Sequence, residues 1–572
     1  MNTLSEILSY NKKAKTLSYK AEANISILSN VVVNQLHHPL EMILYKMGIK
    51  PNIEFGEYDN IVQDAVRFSN SDISIIFWEL TNLIDGFQYS GYQHSQKEIE
   101  KIALKTEAEL HFIFKAMEKT PLVLINEFTT DPFNTNLIHE NSIDKVCSRL
   151  NLFLQINLPA NFKIVKIQRI ISRISIGRSF DLRNFYTSKA LHSFDFFKAY
   201  CEDIYSFLSA RFGKAKKVLV LDCDNTLWGG IIGEDGFDGI KCDSSTGIGK
   251  VYYEVQKMIN TLSQQGIVVC INSKNNLHDV EEAFAAKGMP LDYNKVVIKK
   301  VNWENKVKNL IEISQELNVG IDSLLFVDDS DFEINLVKQE LSDVETVQVP
   351  KDIYQYPLVF RKVINRFYNL NVTNEDSKKT EMYIVEQQRK TQWSQFENLD
   401  SYLESLQLNM VISVNAESVI ERVAQLTQKT NQFNSTTLRL TPGEVKMRME
   451  TQDNYVFSFS LSDKFGDFGT TGATFVSIFD NVATIDGLLM SCRVLGRKAE
   501  ETFVNELFKL LKAKGIEKCI FPFILTNKNK QIEDFFKRSN FNLISSQGEK
   551  SLYASRLIID EKLAVINVKY EK

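Results

Sequence analysis

The chain has 572 residues, a length typical of three or four domains, and its composition, 44% hydrophobic and 24% charged, is typical of a globular protein. A net charge of −5 gives no basic surface that would favour nucleic acid as a partner. No apolar run approaches the length of a membrane span and no signal peptide is evident, so we expect a cytoplasmic protein without membrane association. The seven cysteines include no C-x-x-C pair, which argues against a zinc site and a disulfide framework.

Residues 1–210 alternate short apolar runs with amphipathic stretches, a pattern that predicts an α/β domain. We expect a doubly wound parallel sheet of the flavodoxin-like or SGNH-hydrolase-like kind. Ser29 follows the first strand, where such a domain would carry its active loop, but the sequence offers no base at a suitable spacing to activate it. The domain is therefore predicted to bind or to act as a scaffold. Its strands are predicted at residues 25–28, 73–78, 122–126 and 162–167.

The strongest signal lies in residues 211–350. The four apolar residues from Val218 to Leu221 predict a parallel strand that is buried on both faces. Active sites of open α/β sheets lie at the carboxyl ends of strands, and acidic, hydroxyl and glycine residues follow this strand directly. These residues are Asp222, Asp224, Thr226, Gly229 and Gly230.

Polar groups also follow the later strands of this region. A strand predicted at residues 267–272 ends at Ser273, whose hydroxyl can donate a hydrogen bond to a phosphoryl oxygen. Lys306 begins a predicted helix, and Asp328 follows a strand predicted at residues 323–327. Between these positions the chain leaves no room for a large cap domain, so we expect an open site that suits a bulky partner.

The string D-x-D-x-T at 222–226 resembles motif I of the haloacid dehalogenase (HAD) phosphotransferases. With Trp-Gly-Gly and Gly-Glu-Asp-Gly after it, the string is similar to the FkbH-like subfamily, whose members load a glyceryl unit onto an acyl carrier protein. Ser273, the string Asn-Trp-x-x-Lys ending at Lys306, and Phe-Val-Asp-Asp ending at Asp329 resemble motifs II to IV. This chain has Asn272 where the family has cysteine, so a thiol role at that position is excluded.

The resemblance implies a Rossmann-like core that binds Mg²⁺ and catalyses phosphoryl transfer. Asp222 would be the nucleophile and Asp224 the general acid and then base. Ser273 and Lys306 would stabilise the phosphoryl oxygens, with Thr226 and the two glycines contacting the substrate. The metal ligands would be Asp222, the main-chain carbonyl of Asp224, and Asp328.

Residues 351–405 are predicted to form a helical linker, and residues 406–572 another α/β unit. Within that unit, a strand predicted at residues 485–490 runs into Ser-Cys-Arg-Val-Leu-Gly-Arg and then a helix. Such a turn can bind a pyrophosphate, as in the R-x-x-G-x-G/A motif of GCN5-related N-acetyltransferases (GNAT). Arg493 and Gly496 match that motif, whereas Lys498 occupies its last small position.

Together with K-T-N-Q-F-N, D-K-F-G-D-F-G and T-N-K-N, this string resembles the acyltransferase-like C-terminal domain of the FkbH-like family. Asn431, Arg493, Gly496 and Arg497 are therefore candidate substrate-binding residues. Cys492 is either a small apolar residue or an acyl-accepting thiol. Its neighbours Arg493 and Arg497, and a predicted helix N-terminus, would favour the thiolate.

The combined prediction is a Mg²⁺-dependent phosphatase coupled to acyl transfer. By resemblance, a glyceryl group would pass from 1,3-bisphosphoglycerate, a small phosphorylated substrate, to the phosphopantetheine thiol of an acyl carrier protein. One alternative is an acyltransferase for another acyl group or a sugar, with an auxiliary phosphatase site. Another is a HAD phosphatase whose flanking domains only bind a partner.

Overall fold

The structure is a computed structural model, and it describes residues 3–19, 21–84, 86–90, 94–133, 142–286, 288–370, 382–383, 389, 396, 398–526, 528–539, 541–560 and 565–571. Residues 371–381, 384–388, 390–395 and 397 of the predicted linker, and Asn527 of the T-N-K-N string, lie outside these residues. The chain divides into two compact units, residues 1–208 with 441–444 and residues 209–440 with 445–572.

The first unit contains a five-stranded, fully parallel sheet with the order β2-β1-β3-β4-β5. This is the flavodoxin order of a doubly wound sheet, which confirms the predicted parallel sheet. The strands are β1 Ala21–Ser29, β2 Ile49–Phe55, β3 Ile73–Phe77, β4 Leu122–Asn126 and β5 Phe162–Val165. The helices are α1 Leu4–Ala14, α2 His37–Lys46, α3 Ile61–Arg67, α4 Phe87–Ser90, α5 Gln96–Ala116, α6 Ser142–Asn157, α7 Ile167–Ile174, α8 Ile176–Ser179, α9 Leu182–Ser188 and α10 Phe194–Arg211, the last of which continues into the second unit.

The second unit begins with another five-stranded parallel sheet, of order β10-β9-β6-β7-β8. This order is that of a Rossmann-like half, with the first strand, β6, at its centre. The strands are β6 Val218–Leu221, β7 Val268–Ser273, β8 Val296–Val301, β9 Leu324–Asp328 and β10 Glu345–Gln348. The helices are α11 Ile232–Gly239, α12 Gly247–Gln264, α13 Leu277–Ala286, α14 Lys306–Glu316, α15 Asp331–Glu340 and α16 Tyr356–Asn365.

The apolar runs explain why these segments form the centre of the sheet. All four residues of β6 are fully buried, because β6 lies between β7 and β9 and packs against helices on both faces. Tyr356 and Phe360 of α16 belong to the same core cluster as Leu219 and Leu221. Residues at the start of the predicted linker are thus part of the core of this sheet.

The rest of the second unit is built on an eight-stranded sheet of order β16-β17-β15-β14-β13-β12-β11-β18. Its strands are β11 Asn409–Val414, β12 Asn454–Asp463, β13 Gly466–Phe479, β14 Val482–Met490, β15 Lys518–Ile524, β16 Asn542–Gln547, β17 Lys550–Arg556 and β18 Asn567–Tyr570. Its helices are α17 Leu399–Leu406, α18 Ile420–Lys429, α19 Pro442–Glu450, α20 Ala499–Ala513 and α21 Lys530–Arg538. The D-K-F-G-D-F-G string at residues 463–469 contains the turn between β12 and β13.

Strands β14 and β15 run parallel but pair only over Val482–Thr484. Beyond that point, the end of the K-T-N-Q-F-N string and the next residue fill the space between them. The Ser435 N–H donates to the Leu488 carbonyl at 3.0 Å, and the Ser435 carbonyl accepts from the Ile524 N–H at 2.8 Å. This polar string therefore closes a gap in the sheet. No described helix combines the length and hydropathy that a membrane span requires.

Candidate functional site

Four predicted residues meet at the carboxyl edge of the Rossmann-like sheet. Asp222 follows β6, Ser273 ends β7 and Asp328 ends β9, and β6 lies between the other two strands. Lys306 is the first residue of α14, which follows β8. All four residues are at least 95% buried, so their charges and hydrogen bonds act in a medium with little water.

Lys306 joins two of the carboxylates. Its ammonium lies 2.8 Å from Asp222 Oδ1 and 2.6 Å from Asp328 Oδ2. Burial by itself would lower the pKa of Lys306, but the charges of Asp222 and Asp328 outweigh burial and raise that pKa above its ordinary value. Lys306 is therefore a permanent positive charge at the centre of the site.

Asp329 adds a third carboxylate that the sequence reasoning did not select as a ligand. Carboxyl oxygens of Asp222, Asp328 and Asp329 lie within 4.8 Å of one another. Burial, and then repulsion by Asp222, raise the pKa of Asp328 to about 7 and that of Asp329 to about 6. A divalent cation would remove this repulsion, and clustered carboxylate oxygens are the ligands that Mg²⁺ prefers. The donor set therefore fits Mg²⁺.

The side chain of Asp224 is held outside this cluster. Its Oδ1 accepts from the Trp228 indole N–H at 2.9 Å and from the Ile232 N–H at 3.1 Å, and its Oδ2 accepts from the Asn275 amide at 3.0 Å. Burial raises the pKa of Asp224, although these hydrogen bonds reduce the effect. A carboxyl group with a raised pKa is suited to proton transfer.

Two asparagines of the motif II loop support the site and were missed as functional candidates. The Asn275 amide also donates to Ser273 Oγ at 3.1 Å, so it links the proposed acid to the proposed phosphoryl ligand. The Asn272 amide donates to the Lys306 carbonyl at 3.0 Å, and its oxygen accepts from Asn309 at 3.0 Å. Asn272, which stands where FkbH-like proteins have cysteine, thus holds the start of α14 in place.

Thr226 and the two glycines differ in what they can offer a substrate. The Thr226 hydroxyl is fully buried, and it has no hydrogen-bond partner within the described part of the chain. The N–H groups of Gly229 and Gly230 already donate, to the Lys241 carbonyl at 3.0 Å and to Asn225 Oδ1 at 2.9 Å. Gly230 has a φ of +100°, so the turn itself requires glycine there. Substrate contact by these glycines remains a prediction.

The rim of the site carries two large exposed aromatic side chains. Trp303, in the loop before Lys306, is 70% exposed, and its indole N–H donates to Asn276 Oδ1 at 3.2 Å. Phe332, just after Asp328 and Asp329 in the chain, is 68% exposed. Trp303 lies in the loop after β8 and Phe332 in the first turn of α15, which follows β9, so both are near the carboxyl edge where a substrate would enter.

Cys492 lines a cavity of about 210 Å³ in the second unit. The structure brings Cys492, Arg493 and Arg497 together there, whereas Asn431 is not among the lining residues and accepts from Arg439 instead. The expectation that Cys492 lies at a helix N-terminus is wrong, because α20 begins only at Ala499 and a short 3₁₀ turn holds Cys492. The dipole of α20 therefore does not stabilise a thiolate at Cys492.

The wall of this cavity is shaped by the two arginines and one aromatic ring. The Arg497 guanidinium lies 5.2 Å from the Phe468 ring centroid, and it donates to the Arg493 carbonyl at 2.6 Å. Gly496 has a φ of +77°, a conformation that side-chain-bearing residues rarely adopt. The predicted R-x-x-G turn therefore depends on glycine for its conformation.

Helix α14 places the two candidate sites at opposite edges of the Rossmann-like sheet. The helix begins at Lys306, beside the carboxylates, and returns the chain to the amino end of β9. Just beyond its end, the Asn318 amide donates to the Cys492 carbonyl at 3.1 Å. Eleven residues of helix span about 16 Å. The carboxylate cluster and Cys492 therefore belong to separate sites.

The first unit contains a buried pair of a histidine and a glutamate, His192 and Glu79, that the sequence did not predict. His192 Nε2 lies 2.8 Å from Glu79 Oε1, and both side chains are at most 2% exposed. The His192 ring stacks on Phe196 with a centroid distance of 4.0 Å. Ser29 is half-buried, and no described hydrogen bond joins its hydroxyl to His192. The pair contributes to packing below the carboxyl edge of this sheet.

Comparison with known proteins found no matching protein family and no similar curated protein. Among solved structures, the chain is similar to the N-terminal part of the protein BF1531 from Bacteroides fragilis, which contains a phosphatase domain and was solved in complex with Mg. The match has a TM-score of 0.56 and 22% identity, and it covers 65% of this chain and 100% of the other. A likeness of this size shows a shared fold, that of a protein containing a phosphatase domain.

The chain is also similar to two N-acetyltransferases over shorter stretches. One is PaiA from Thermoplasma acidophilum in complex with coenzyme A, with 18% identity, a TM-score of 0.18, and coverage of 20% of this chain and 71% of the other. The second acts on ribosomal protein S18 alanine in Escherichia coli, with 10% identity, a TM-score of 0.21, and coverage of 27% and 98%. Scores of this size do not define the fold of the eight-stranded sheet, so a GNAT-like domain remains a prediction.

Proposed function

We propose that the chain is a Mg²⁺-dependent phosphatase of the HAD type, with Asp222 as its nucleophile. The observation that carries this proposal is the contact of Lys306 with the buried carboxylates of Asp222 and Asp328, which lie beside the partly buried Asp329. Such a cluster is costly unless it binds a cation. Its position at the carboxyl edge of a Rossmann-like sheet is where α/β enzymes bind their substrates.

The reaction would proceed in two displacements. The Asp222 carboxylate attacks phosphorus, the bond from phosphorus to the leaving oxygen breaks, and Asp224 gives its proton to that oxygen. A water molecule then loses a proton to Asp224 and attacks the aspartyl phosphate, which releases phosphate and restores Asp222. Lys306, Ser273 and Thr226 would hold the phosphoryl oxygens through charge and hydrogen bonds.

Mg²⁺ would be held by Asp222, Asp328, Asp329 and the main-chain carbonyl of Asp224, and it would supply positive charge against the phosphoryl oxygens. Including Asp329 extends the ligand set predicted from sequence. The ligand assignment remains a proposal.

The test is phosphate release from p-nitrophenyl phosphate by the full chain, with Mg²⁺ or with excess EDTA. Asp222→Asn should lower kcat by at least about a thousandfold, because it removes the nucleophile. Glu304→Gln is the matched control, since Glu304 is exposed in the same loop as Trp303 and pairs only with Lys308 among the described residues. Activity that survives in EDTA or in Asp222→Asn would contradict the proposal.

We further propose that Cys492 accepts an acyl group and that the chain is an FkbH-like protein. The support is the cavity, which places the thiol beside Arg493 and Arg497, cations suited to an anionic acyl donor. The thiolate would attack the carbonyl carbon of 1,3-bisphosphoglycerate, the bond to the 1-phosphate would break, and a 3-phosphoglyceryl thioester would form. Hydrolysis at the proposed phosphatase site, with water, would remove the 3-phosphate and leave a glyceryl group. Thiol exchange would then pass the glyceryl group to the phosphopantetheine arm of an acyl carrier protein.

Intact-protein mass after incubation with 1,3-bisphosphoglycerate tests this second proposal. A gain the size of a phosphoglyceryl group, or of a glyceryl group when Mg²⁺ is present, should appear in wild type and in Cys147→Ala but not in Cys492→Ala. Cys147 is the matched control because it is the other half-buried cysteine, and burial raises the pKa of its thiol to about 12. Phosphate release without any adduct would favour the alternative, a phosphatase whose other domains bind a partner. An adduct formed only with a different acyl phosphate would favour the alternative of an acyltransferase for another acyl group.

A further inference from the structure

Four lysines surround one carboxylate at the amino edge of the Rossmann-like sheet, the edge opposite the phosphatase site. The Lys216 ammonium donates to the Asp322 carbonyl at 2.8 Å, and the Lys528 ammonium pairs with the Asp322 carboxylate. The charges of Lys216 and Lys217 also act on the Asp322 carboxylate. Lys214 interacts electrostatically with Asp322 and Lys528. Lys528 comes from the T-N-K-N string, so this lysine cluster joins the two sheets of the second unit.

The four lysines of the cluster carry more positive charge than the three nearby carboxylates, Asp322, Asp343 and Glu345, can balance. In the described part of the chain, the Lys214 ammonium makes no hydrogen bond and no ion pair, although its side chain is exposed. Packing around the inner part of this side chain, and then repulsion by Lys528, lower the pKa of Lys214, and Asp322 and Asp343 offset part of that shift. Burial also lowers the pKa of Lys216, and Glu345 and Asp322 offset this only in part.

A buried arginine increases this imbalance. Arg439 acts electrostatically on Lys214, and a Cβ at Gly213 would come within 3.3 Å of its Cζ. The hydrogen bonds of Arg439 go to neutral oxygens, the Thr427 and Thr430 carbonyls and the Asn431 amide. Burial and then Arg211 lower the pKa of Arg439 to about 10. Like charges held this close cost free energy unless an anion joins them.

We propose that the lysine cluster, with Arg439, is a binding site for a small phosphate-bearing ligand. A phosphate group carries up to two negative charges and several acceptor oxygens, so it can take hydrogen bonds from several ammonium groups at once. The exposed side chain of Lys214 gives access from solvent. The cluster lies where the two sheets of the second unit make contact through Lys528 and Asp322, and the net charge of −5 argues against a nucleic acid as the ligand.

The site is distinct from the phosphatase site. Lys216 and Lys217 precede β6 and Asp322 precedes β9, whereas Asp222 follows β6 and Asp328 ends β9. Strands of four or five residues separate these positions by about 13 to 17 Å. The proposal therefore does not depend on the phosphatase assignment.

Calorimetric titration of the full chain in EDTA tests the proposal, with inorganic pyrophosphate, inorganic phosphate and glycerol 3-phosphate as separate probes. We expect Lys214→Gln and Lys528→Gln each to weaken the binding of the tightest probe by about tenfold, the usual effect of one charged hydrogen bond. Lys512→Gln, an exposed lysine at the end of α20, should bind like wild type. Asp322→Asn should bind more tightly, because it removes the competing carboxylate.

The opposite response of Asp322→Asn separates a ligand site from a purely structural ion cluster. A structural cluster would lose stability in all three variants and bind no probe. Asp222→Asn alters the phosphatase site and serves as the reference. This variant should bind the probe at the lysine cluster as tightly as wild type does. The proposal is wrong if no probe binds the wild type at about millimolar concentration, if binding is lost in Asp222→Asn, or if Asp322→Asn weakens it. Preference for pyrophosphate would indicate a diphosphate ligand, and preference for glycerol 3-phosphate a monoester, each within the proposed class.

Discussion

Replacing Asp329 by asparagine should have opposite effects on stability with and without Mg²⁺. Burial and the charge of Asp222 raise the pKa of Asp329 from 3.8 to about 6 in the metal-free protein. Because the folded pKa is raised, this group favours the folded state fully below about pH 4, and that contribution is lost as pH rises through about 6. At neutral pH the ionised Asp329 therefore destabilises the metal-free fold.

The size of this effect follows from the pKa. A shift of about two units corresponds to about 3 kcal/mol. Asp329 is only partly buried, so solvent screening reduces the expected value to on the order of 1–2 kcal/mol. In EDTA at about pH 7.5, Asp329→Asn should thus be more stable than wild type by that amount, and at about pH 4 the difference should vanish.

Mg²⁺ should reverse the order. If Asp329 binds the cation, wild type gains more stability from Mg²⁺ than the variant does, by the linkage between binding and folding. Urea unfolding of both proteins, in EDTA and in Mg²⁺, measures the two differences. Asp238→Asn, an exposed acid on α11, should change neither. The reasoning fails if Asp329→Asn is destabilised in EDTA, or if Mg²⁺ stabilises both proteins equally.

Three further predictions concern the phosphatase site. Lys306→Ala should abolish phosphate release and, in EDTA, destabilise the fold by about 3–5 kcal/mol, because it leaves Asp222 and Asp328 buried without their cation; a stable, active variant in denaturation and activity assays would contradict this. Asn275→Ala removes a hydrogen bond that lowers the pKa of Asp224. The alkaline limb of the kcat–pH profile should therefore move to higher pH, and kcat should fall by about tenfold. If the limb does not move, Asp224 is not the acid. Trp303→Ala should raise KM for aryl phosphates several-fold, by about 1 kcal/mol of lost contact, with kcat and stability unchanged because the side chain is 70% exposed; equal kinetics for the variant and wild type would place substrate elsewhere.

The sequence by itself predicted the central strands of both parallel sheets and the edge at which the carboxylates lie, but it did not predict β2, β8 or β10. Apolar runs such as Val218 to Leu221 are typical of buried strands, and parallel strands place their carboxyl ends together. Asp222, Ser273 and Asp328 could therefore be assigned to one site before any coordinates were known. Strand boundaries agreed within a few residues, since the change from apolar to polar residues ends both the core and the strand.

Tertiary structure alone decided which side chains complete each site. Whether Asp329 turns towards Asp222, and whether Asn275 reaches both Asp224 and Ser273, depends on loop conformations that carry no periodic signal. The contact between Asn318 and Cys492 joins residues 174 positions apart, and a single chain's pattern does not encode such pairs.

The helix N-terminus expected at Cys492 failed for a related reason. Gly496, with a φ of +77°, and Lys498, with a φ of +60°, turn the chain before α20 can begin. The local sequence pattern determines whether a segment forms a helix or a strand, because the burial of apolar residues dominates the free energy of forming that element. Charges and polar groups instead find partners across the fold, so the lysine cluster around Asp322 and the separation of the two candidate sites could be seen only in three dimensions.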